Sequence, residues 1–457
     1  MRAPDCGDGF SCGDDGSCVE ATGGEGDTCL SEVQCMPGLA CMLSPETHGV
    51  DPLTAACTDE YVGHIAGSAC SKDLDCRDGT CAMGRCIDLC QDTRDCAAGM
   101  VCTHIPRVEL GTKMFAGCLQ ATGTIAWNLP ITSPHQTVPL AVPESAQAVS
   151  ISMRVDDPNQ MVGVIRVDGP NPSTTEPLLL YERGVYGNSI RHRPALGQSV
   201  LAMPSTPDVT FSAGRYLLEV TSLSGPNYDP TQGDFGTATP IATAVAKLDQ
   251  NVSLDLHFFF LNLDDHPCAA AFDGGTLDAT SAVAGSFKSR FQNTLSSYLA
   301  KSDVALGSVT YQDLKDHPDL DGPSLANVND LLKLGTYSVG INVFFVRSMS
   351  PAGVQAFGPN PGPAGLASTD DVSLQSGIII SLDSLCYESW EEVARLTTRE
   401  IARYMGLYNN VELDGHVDPI TDSDALSTNL MYFSEVGGGT ELSPDQKLIL
   451  SRSPVLR

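Results

Sequence analysis

Cysteine is concentrated in the first quarter of this chain, and this distribution constrains the fold more than any other sequence feature. Of the seventeen cysteines in 457 residues, all but Cys268 and Cys386 lie between Cys6 and Cys118. The intervening sequence is rich in Asp, Gly and Ser, with too few apolar residues for a conventional core. Disulfides must therefore supply the stability of this region, and the protein is expected to fold outside the reducing cytoplasm.

The cysteines repeat in modules of four. The three complete modules are Cys29, Cys35, Cys41 and Cys57; Cys70, Cys76, Cys81 and Cys86; and Cys90, Cys96, Cys102 and Cys118. Four cysteines allow three pairings in each module, so the sequence leaves the connectivity open. Zinc knuckles are the alternative, but the usual Cys-x2-Cys spacing is absent. The modules resemble the Dickkopf-like or EGF-like repeats of large secreted bacterial proteins.

Three further cysteines, Cys6, Cys12 and Cys18, fit the second, third and fourth places of an earlier module. We therefore expect the chain to start inside a module, with the first cysteine and an export signal upstream. The expected location is extracellular or at the cell surface.

Charge excludes two classes of partner. The formal net charge is -30, from 56 acidic and 26 basic residues. Such a chain repels nucleic acid and anionic lipid, so neither is expected as a partner. Because no apolar run approaches the ~20 residues of a membrane-spanning helix, no transmembrane span is expected.

The segment 121–252 has the pattern of β-strands. Val149, Ile151 and Met153 alternate with polar residues, as do Tyr216 and Leu218 in "AGRYLLEV". Short alternating strands separated by Pro, Gly and Asn predict an antiparallel β-sandwich. The segment resembles the accessory sandwiches of secreted bacterial peptidases, and we expect it to act as a spacer.

The segment 253–457 predicts alternating strands and helices. Strands are expected at 254–263, 308–314, 341–349 and 377–382, with a first helix ending near Lys301, a short helix at 325–334 and a long helix that includes residues 397–405. The expected architecture is therefore multidomain: cysteine-rich repeats over 1–120, an all-β sandwich over 121–252, and an α/β (α+β) domain over 253–457.

The long helix carries an altered metal-binding pattern. Residues 399–409 resemble the zinc helix of metzincin peptidases, His-Glu-x-x-His-x-x-Gly-x-x-His, with Arg399, Arg403 and Asn409 at the three ligand positions. Glu400 and Gly406 match the general base and the turn glycine. Further along, "NLMYF" resembles the metzincin Met-turn, which places Met431 beneath the site.

The resemblance covers about 254–457 and is closest to the pappalysin-like secreted bacterial peptidases. It implies a zincin fold, and the chemistry of the substituted residues argues against zinc. A guanidinium has only N–H donors and no lone pair for a metal, and two arginines four residues apart would also repel a cation. We therefore expect no zinc, an inactive Glu400 paired with Arg403, and a non-catalytic protein. A plain surface helix with charged residues on its polar side is the simpler alternative.

Acidic residues follow the helix in "NNVELDGHVDPITDSD". The resemblance implies that calcium is a possible cofactor here, with Asp414, Asp418 and Asp422 as candidate ligands. Alternatively, Arg399 and Arg403 bind Asp414 or Asp418 and replace metal coordination by salt bridges.

Cys268 and Cys386 both fall in the third segment, and we expect a disulfide between them. A nucleophilic role for Cys386 is the alternative, but no activating base stands near it in the sequence.

Three functions are compatible with the sequence. The first is an exported pseudopeptidase that binds a protein, peptide or cell-surface ligand, for example against the 377–382 strand edge. The second is a secreted zinc metalloendopeptidase with an unconventional site that uses His416. The third is an adhesion protein in which the cysteine-rich arm binds.

Overall fold

The computed structural model describes most of the chain: residues 6, 10–12, 17–43, 55–106, 114–155, 161–171, 176–195, 198–224, 229–230, 240–264, 266–273, 275–324, 326–358, 376–434 and 438–457. Within these residues a disulfide-rich N-terminal region is followed by β-sheet domains and a smaller number of helices. The architecture is multidomain, disulfide-rich and rich in β-structure. No helix in this part of the chain is long and apolar enough to cross a membrane.

The N-terminal modules are small hairpins closed by disulfides. In each complete module the first cysteine pairs with the third and the second with the fourth. Cys6 pairs with Cys18, which is the second-to-fourth pairing in the register assigned from the sequence; the side chain of Cys12 lies outside the described residues. The strands are β1 (Phe10–Cys12), β2 (Cys18–Glu20), β3 (Thr28–Cys29), β4 (Leu39–Leu43), β5 (Ala55–Asp59), β6 (Cys81–Ala82), β7 (Arg85–Cys86), β8 (Met100–Pro106) and β9 (Met114–Gln120).

Two antiparallel sheets follow and share one core. Their strands are β10 (Thr124–Asn128), β11 (His135–Val142), β12 (Ala148–Arg154), β13 (Met161–Asp168), β14 (Leu179–Leu180), β15 (Arg191–Ala195), β16 (Gln198–Met203), β17 (Gly214–Ser224), β18 (Asp229–Pro230) and β19 (Ile241–Lys247). One sheet has the order β10-β19-β12-β16-β15 and the other β11-β17-β13-β14, with β18 on β17. Along β17 the side chains alternate as the sequence predicts, with Tyr216, Leu218 and Val220 buried.

The last cysteine module packs directly on this sandwich. Phe115 and Leu119 belong to the same hydrophobic core as Ile125 and Trp127. His104 of β8 accepts a backbone hydrogen bond from Glu144, and its Nδ1 lies 2.8 Å from the Glu144 carboxylate. This core therefore runs across residue 120, so the modules do not depend on disulfides alone.

The C-terminal domain is built on a mixed sheet. Its strands are β20 (Ser253–Leu261), β21 (Ala305–Leu314), β22 (Ile341–Val346), β23 (Ala356–Phe357) and β24 (Ile378–Ser381), in the order β21-β20-β22-β24-β23. All neighbours are parallel except β23, which is antiparallel to β24 at the edge. Leu256, Phe258 and Phe260 point to one core and Phe259 and Leu261 to another, because both faces of a sheet with parallel strands are covered.

One expectation about this sheet is wrong. The edge of the 377–382 strand was expected to be free for a bound peptide, but β23 pairs with Ile379 and Ile380 of β24. The edge strand is therefore β23.

In the described part of this domain, four α-helices accompany the sheet: α1 (Asn293–Lys301), α2 (Val328–Leu332), α3 (Trp390–Tyr404) and α4 (Pro444–Ser451). A π-helical segment, Phe287–Gln292, leads into α1. Ser443 caps α4 through the backbone N–H of Gln446, with Pro444 in the first turn, as its sequence predicts.

Candidate functional site

Helix α3 forms the floor of the candidate site. Its N-terminus is capped by the Ser389 hydroxyl, which accepts from the backbone N–H of Glu392 at 3.3 Å. Its C-terminus is followed by Gly406, whose φ of +118° is readily adopted only by glycine. Both faces of α3 are buried, including the polar side chains of Arg395, Arg399 and Glu400. The simple surface-helix alternative is therefore wrong.

Two of the three positions singled out on the metal-binding pattern contact Glu400 directly, and the third, Asn409, bonds to Arg399. Arg399 and Arg403 each place Nη1 3.2 Å from Oε1 of Glu400. Nη2 of Arg399 also donates to Oδ1 of Asn409 at 3.1 Å and to the carbonyl of Phe433 at 3.3 Å. We call Glu400, Arg399, Arg403 and Asn409 the α3 ion cluster.

Burial strengthens the electrostatic interactions within this cluster. Glu400 is fully buried. Burial alone would raise the pKa of the Glu400 carboxyl, but the positive charges of Arg403 and Arg399 outweigh it and hold this pKa below its ordinary value of 4.5. Burial also opposes the charge on Arg403, yet the carboxylate of Glu400 keeps the pKa of Arg403 above its ordinary value. The carboxylate therefore stays ionised and locked between two cations.

A second acid extends the cluster toward the sandwich. Nδ2 of Asn409 donates to Oε2 of Glu412 at 2.7 Å. The hydroxyl of Tyr186, which belongs to the sandwich, donates to Oε1 of the same carboxylate at 2.5 Å. The two domains therefore meet at the end of α3.

More of the sandwich covers this end of the helix. The ring of Tyr186 stacks on His416 at 5.5 Å between centroids and lies 5.8 Å from Tyr408. The guanidinium of Arg191, at the start of β15, lies 4.4 Å from the centre of the Tyr408 ring. Arg193 shares a face of β15 with Arg191 and interacts electrostatically with Glu400 and other cluster charges. We call Tyr186, Arg191, Arg193, Tyr408 and Glu412 the junction.

The acidic segment after the helix does not pair with these arginines as expected. The described ion pairs of Arg399 and Arg403 are with Glu400, which is nearer along the helix than Asp414 or Asp418. Asp414 is exposed and lies 2.9 Å from Nδ1 of His416. The expected pair of Glu400 with Arg403 is present, whereas the alternative in which the arginines bind Asp414 or Asp418 is wrong.

Asp418 and Asp422 have other partners. Asp418 is buried and accepts from the backbone N–H of Ile420 at 3.1 Å, and burial raises the pKa of its carboxyl to about 7. Asp422 accepts from the backbone N–H of Asp445 at 3.0 Å. The first bond holds the acidic segment in a local turn, and the second joins this segment to the start of α4.

Groups of three closely spaced potential metal ligands occur, within the described residues, only among the cysteine modules, where the same sulfurs form disulfides. The acids Asp414, Asp418 and Asp422 do not form such a group in this part of the chain. His416 pairs with Asp414 and stacks on Tyr186, so its described contacts are not those of a zinc ligand.

Met431 and Cys268 belong to the same hydrophobic core as the α3 residues Ile401 and Ala402. Met431 is fully buried, and its carbonyl accepts from the backbone N–H of Asn410 at 3.0 Å. Cys268 and Cys386 form a disulfide across 118 residues of sequence. Cys386 is therefore not a free nucleophile.

Sequence reasoning missed the sandwich side of the site. Tyr186, Arg191 and Arg193 stand in a segment expected only to act as a spacer. One signal was available: in "RHRP" two arginines occupy alternate positions of a strand and so share a face. Nothing in the sequence indicated that this face lies against α3.

The comparisons with known proteins do not supply a family. No family model matches this sequence, and no curated protein matches it either. One solved structure with some similarity is a family two carbohydrate esterase from Cellvibrio japonicus, at 12% sequence identity and a TM-score of 0.14, covering 42% of this chain and 52% of the esterase chain. A TM-score this low carries no argument about fold or function.

Proposed function

We propose that this protein is an exported, non-catalytic homologue of pappalysin-like metzincin peptidases that acts by binding or as a scaffold at the cell surface. The observation that carries the proposal is the α3 ion cluster. Arg399, Arg403 and Asn409 occupy the positions of the three metal ligands in the resembled pattern. The two arginines donate to Glu400, and Asn409 accepts a hydrogen bond from Arg399. Salt bridges take the place of metal coordination.

The state of Glu400 supports the loss of catalysis. A general base must reach the proton that it abstracts, at hydrogen-bond distance or through one water. Glu400 is fully buried, and one of its oxygens accepts from both Arg399 and Arg403. Because its pKa is held below the ordinary range, the carboxylate is also a weaker base than a free glutamate.

The surroundings of the cluster agree with the resemblance. The order β20, α1, β21, β22, β24 and α3 agrees with the expected one, with the short α2 before β22 and the two-residue β23 before β24. Met431 lies buried in the same core as α3 residues Ile401 and Ala402. The eight disulfides of the described chain fit folding in an oxidising compartment, which supports export.

The decisive experiment combines metal analysis with an activity assay. The purified whole chain is analysed for zinc and incubated with casein, with and without a chelator. We expect no stoichiometric zinc and no chelator-sensitive cleavage. Stoichiometric zinc together with chelator-sensitive cleavage would establish the metalloendopeptidase alternative instead.

A gain-of-metal variant tests the structural side of the proposal. The triple substitution Arg399→His, Arg403→His and Asn409→His restores the pattern of three histidines that holds zinc in the resembled family. We expect this variant to bind about one zinc per chain, whereas Arg399→His alone does not. A triple variant that folds and binds no zinc would show that these positions do not have ligand geometry.

One observation favours the cysteine-rich arm as the binding part. Val62, Ile65 and Leu74 are more than half exposed, and hydrogen bonds between segments 61–64 and 75–77 bring their neighbourhoods together. Exposed apolar groups on a stable disulfide module are suited to contact with another protein. Replacing all three by Asp should weaken binding to cell-surface preparations, with Val339→Asp on the C-terminal domain as the control; equal binding by both variants would remove this candidate.

A further inference from the structure

Among the described residues, the buried guanidinium of Arg191 in the junction has no acid partner. Arg191 is 3% exposed, and in the described part of the chain its Nε and Nη1 have no hydrogen-bond acceptor. Its described side-chain neighbour is the ring of Tyr408, at 4.4 Å. A buried charge is costly unless an opposite charge or hydrogen-bond acceptors compensate it.

The nearby charges do not compensate Arg191. Burial is the largest influence on Arg191 and lowers its pKa to about 9. The positive charges of Arg193 and Arg403 act in the same direction, and Tyr408 opposes them. The carboxylate of Glu400 is engaged by α3 arginines, and that of Glu412 by Asn409 and Tyr186. The junction and the α3 ion cluster together hold four guanidinium groups, those of Arg191, Arg193, Arg399 and Arg403, and these two carboxylates.

A second donor lies beside the cation. The Tyr408 hydroxyl is buried and has no hydrogen-bond partner among the described residues. Burial raises the pKa of this hydroxyl, which therefore keeps its proton and remains a donor. Arg191 and Tyr408 thus present N–H and O–H donors that have no acceptor among the described residues.

We propose that Arg191 and Tyr408 form a binding site for a compact anion at the contact between the sandwich and the C-terminal domain. The ligand is a single negatively charged group that accepts hydrogen bonds: an inorganic ion such as chloride or phosphate, or the carboxylate of an acidic peptide. Its charge offsets the excess of guanidinium groups, and it ties β15 to the end of α3. The site is independent of whether the C-terminal domain is catalytic.

The test is the thermal stability of the whole chain, titrated separately with sodium chloride, phosphate, acetate and an N-acetylated Asp peptide. We compare wild type with Arg191→Met, which keeps an apolar stem but lacks the charge, and with Arg290→Met, which removes an exposed arginine paired with Glu391. General screening of a chain of net charge -30 acts on all three proteins alike. The expected result is a saturable rise in melting temperature for wild type and Arg290→Met that is lost in Arg191→Met.

The four titrations also distinguish the sources of the anion. A melting temperature that saturates with chloride or phosphate identifies a free inorganic ion, and one that saturates only with acetate and the peptide identifies a carboxylate. If Arg191→Met does not fold, the test uses Tyr408→Phe instead. Wild type and Tyr408→Phe are each titrated with the effective anion by calorimetry, and their affinities are compared. Loss of the hydroxyl should weaken binding about threefold to tenfold. Equal responses of wild type and Arg191→Met, or no saturable response of wild type to any of the four, would overturn the proposal.

Discussion

Replacing Glu400 by Gln tests whether the α3 ion cluster is a structural unit. The substitution keeps the shape of the side chain and removes its charge. Both oxygens of Glu400 lie 3.2–3.3 Å from Nη1 of Arg403, and Nη1 of Arg399 lies 3.2 Å from Oε1. At an effective dielectric constant of about 20, one such charge pair is worth roughly 5 kcal/mol, part of which desolvation offsets. Breaking a buried pair has a net cost of about 3–5 kcal/mol, which is the expected loss of unfolding free energy.

Urea unfolding followed by tryptophan fluorescence measures this loss. The chain has two tryptophans, and Trp127→Phe leaves Trp390, which is buried in the C-terminal core, as the reporter. For an m-value near 2 kcal/mol/M, the midpoint should fall by about 2 M. Glu391→Gln is the matched control, because Glu391 lies on the same helix but forms an exposed ion pair with Arg290. Exposed pairs contribute about 0–1 kcal/mol, so the control should barely shift.

The outcome separates a structural from a catalytic Glu400. A catalytic carboxylate in an open cleft is exposed to solvent and forms few ion pairs within the protein. Replacing such a carboxylate by the amide has little effect on the free energy of unfolding. If Glu400→Gln and Glu391→Gln shifted the midpoint equally, the cluster would not stabilise the fold, and the proposal that salt bridges replace the metal would be wrong.

Three further changes test the surroundings of the cluster. Asp418→Asn should stabilise the protein by up to about 4 kcal/mol above pH 7 and by progressively less as the pH falls toward 4. Burial raises the pKa of Asp418 to about 7, so ionisation of this carboxyl above that pH costs stability. Urea unfolding between pH 4 and pH 8 with EDTA present measures the gain, and a gain independent of pH would contradict the prediction. Replacing Cys268 and Cys386 together by Ala should lower the unfolding free energy by about 4–5 kcal/mol, because the disulfide closes a loop of 118 residues. Thermal unfolding of the oxidised wild type and double variant measures this loss. In the double variant a reductant has no bond to break at this site. Tyr186→Phe removes a hydrogen bond to the Glu412 carboxylate and should cost about 1.5–3 kcal/mol by the same urea assay, whereas an unchanged midpoint would show that the contact between the domains is weak.

Local chemistry made the segments of the fold predictable. The alternation around Tyr216 and Leu218 corresponds to β17, and Ser443 followed by Pro444 marks the start of α4. These features depend on side-chain period and backbone capping within a few residues, which the sequence displays directly. The expectation of a free edge on the 377–382 strand is wrong, because β23 is only two residues long and lies within a Pro/Gly-rich stretch without a strand pattern.

The partners of charged side chains were less predictable. The sequence predicts a pair between Glu400 and Arg403, and the structure contains it. The alternative, in which Arg399 and Arg403 bind an acid in the loop beyond the helix, is wrong, because Arg399 also pairs with Glu400. Residues three or four apart on a helix can meet, but whether they do depends on what covers them. Here burial removes water as a competitor, and the nearest carboxylate prevails.

The sequence by itself determined the disulfide-rich and β-rich character of the chain. It also determined that positions 399, 403 and 409 hold no histidine, because residue identity does not depend on tertiary contacts. Only the tertiary structure decided how the cysteines pair, that both faces of α3 are buried, and that Arg191 of the sandwich lies over Tyr408. In each cysteine module several pairings are compatible with the sequence, and only the fold selects one. For Arg191 and Tyr408 the physical reason is distance along the chain. Contacts between residues more than two hundred positions apart arise from how whole domains pack, and no local pattern records them.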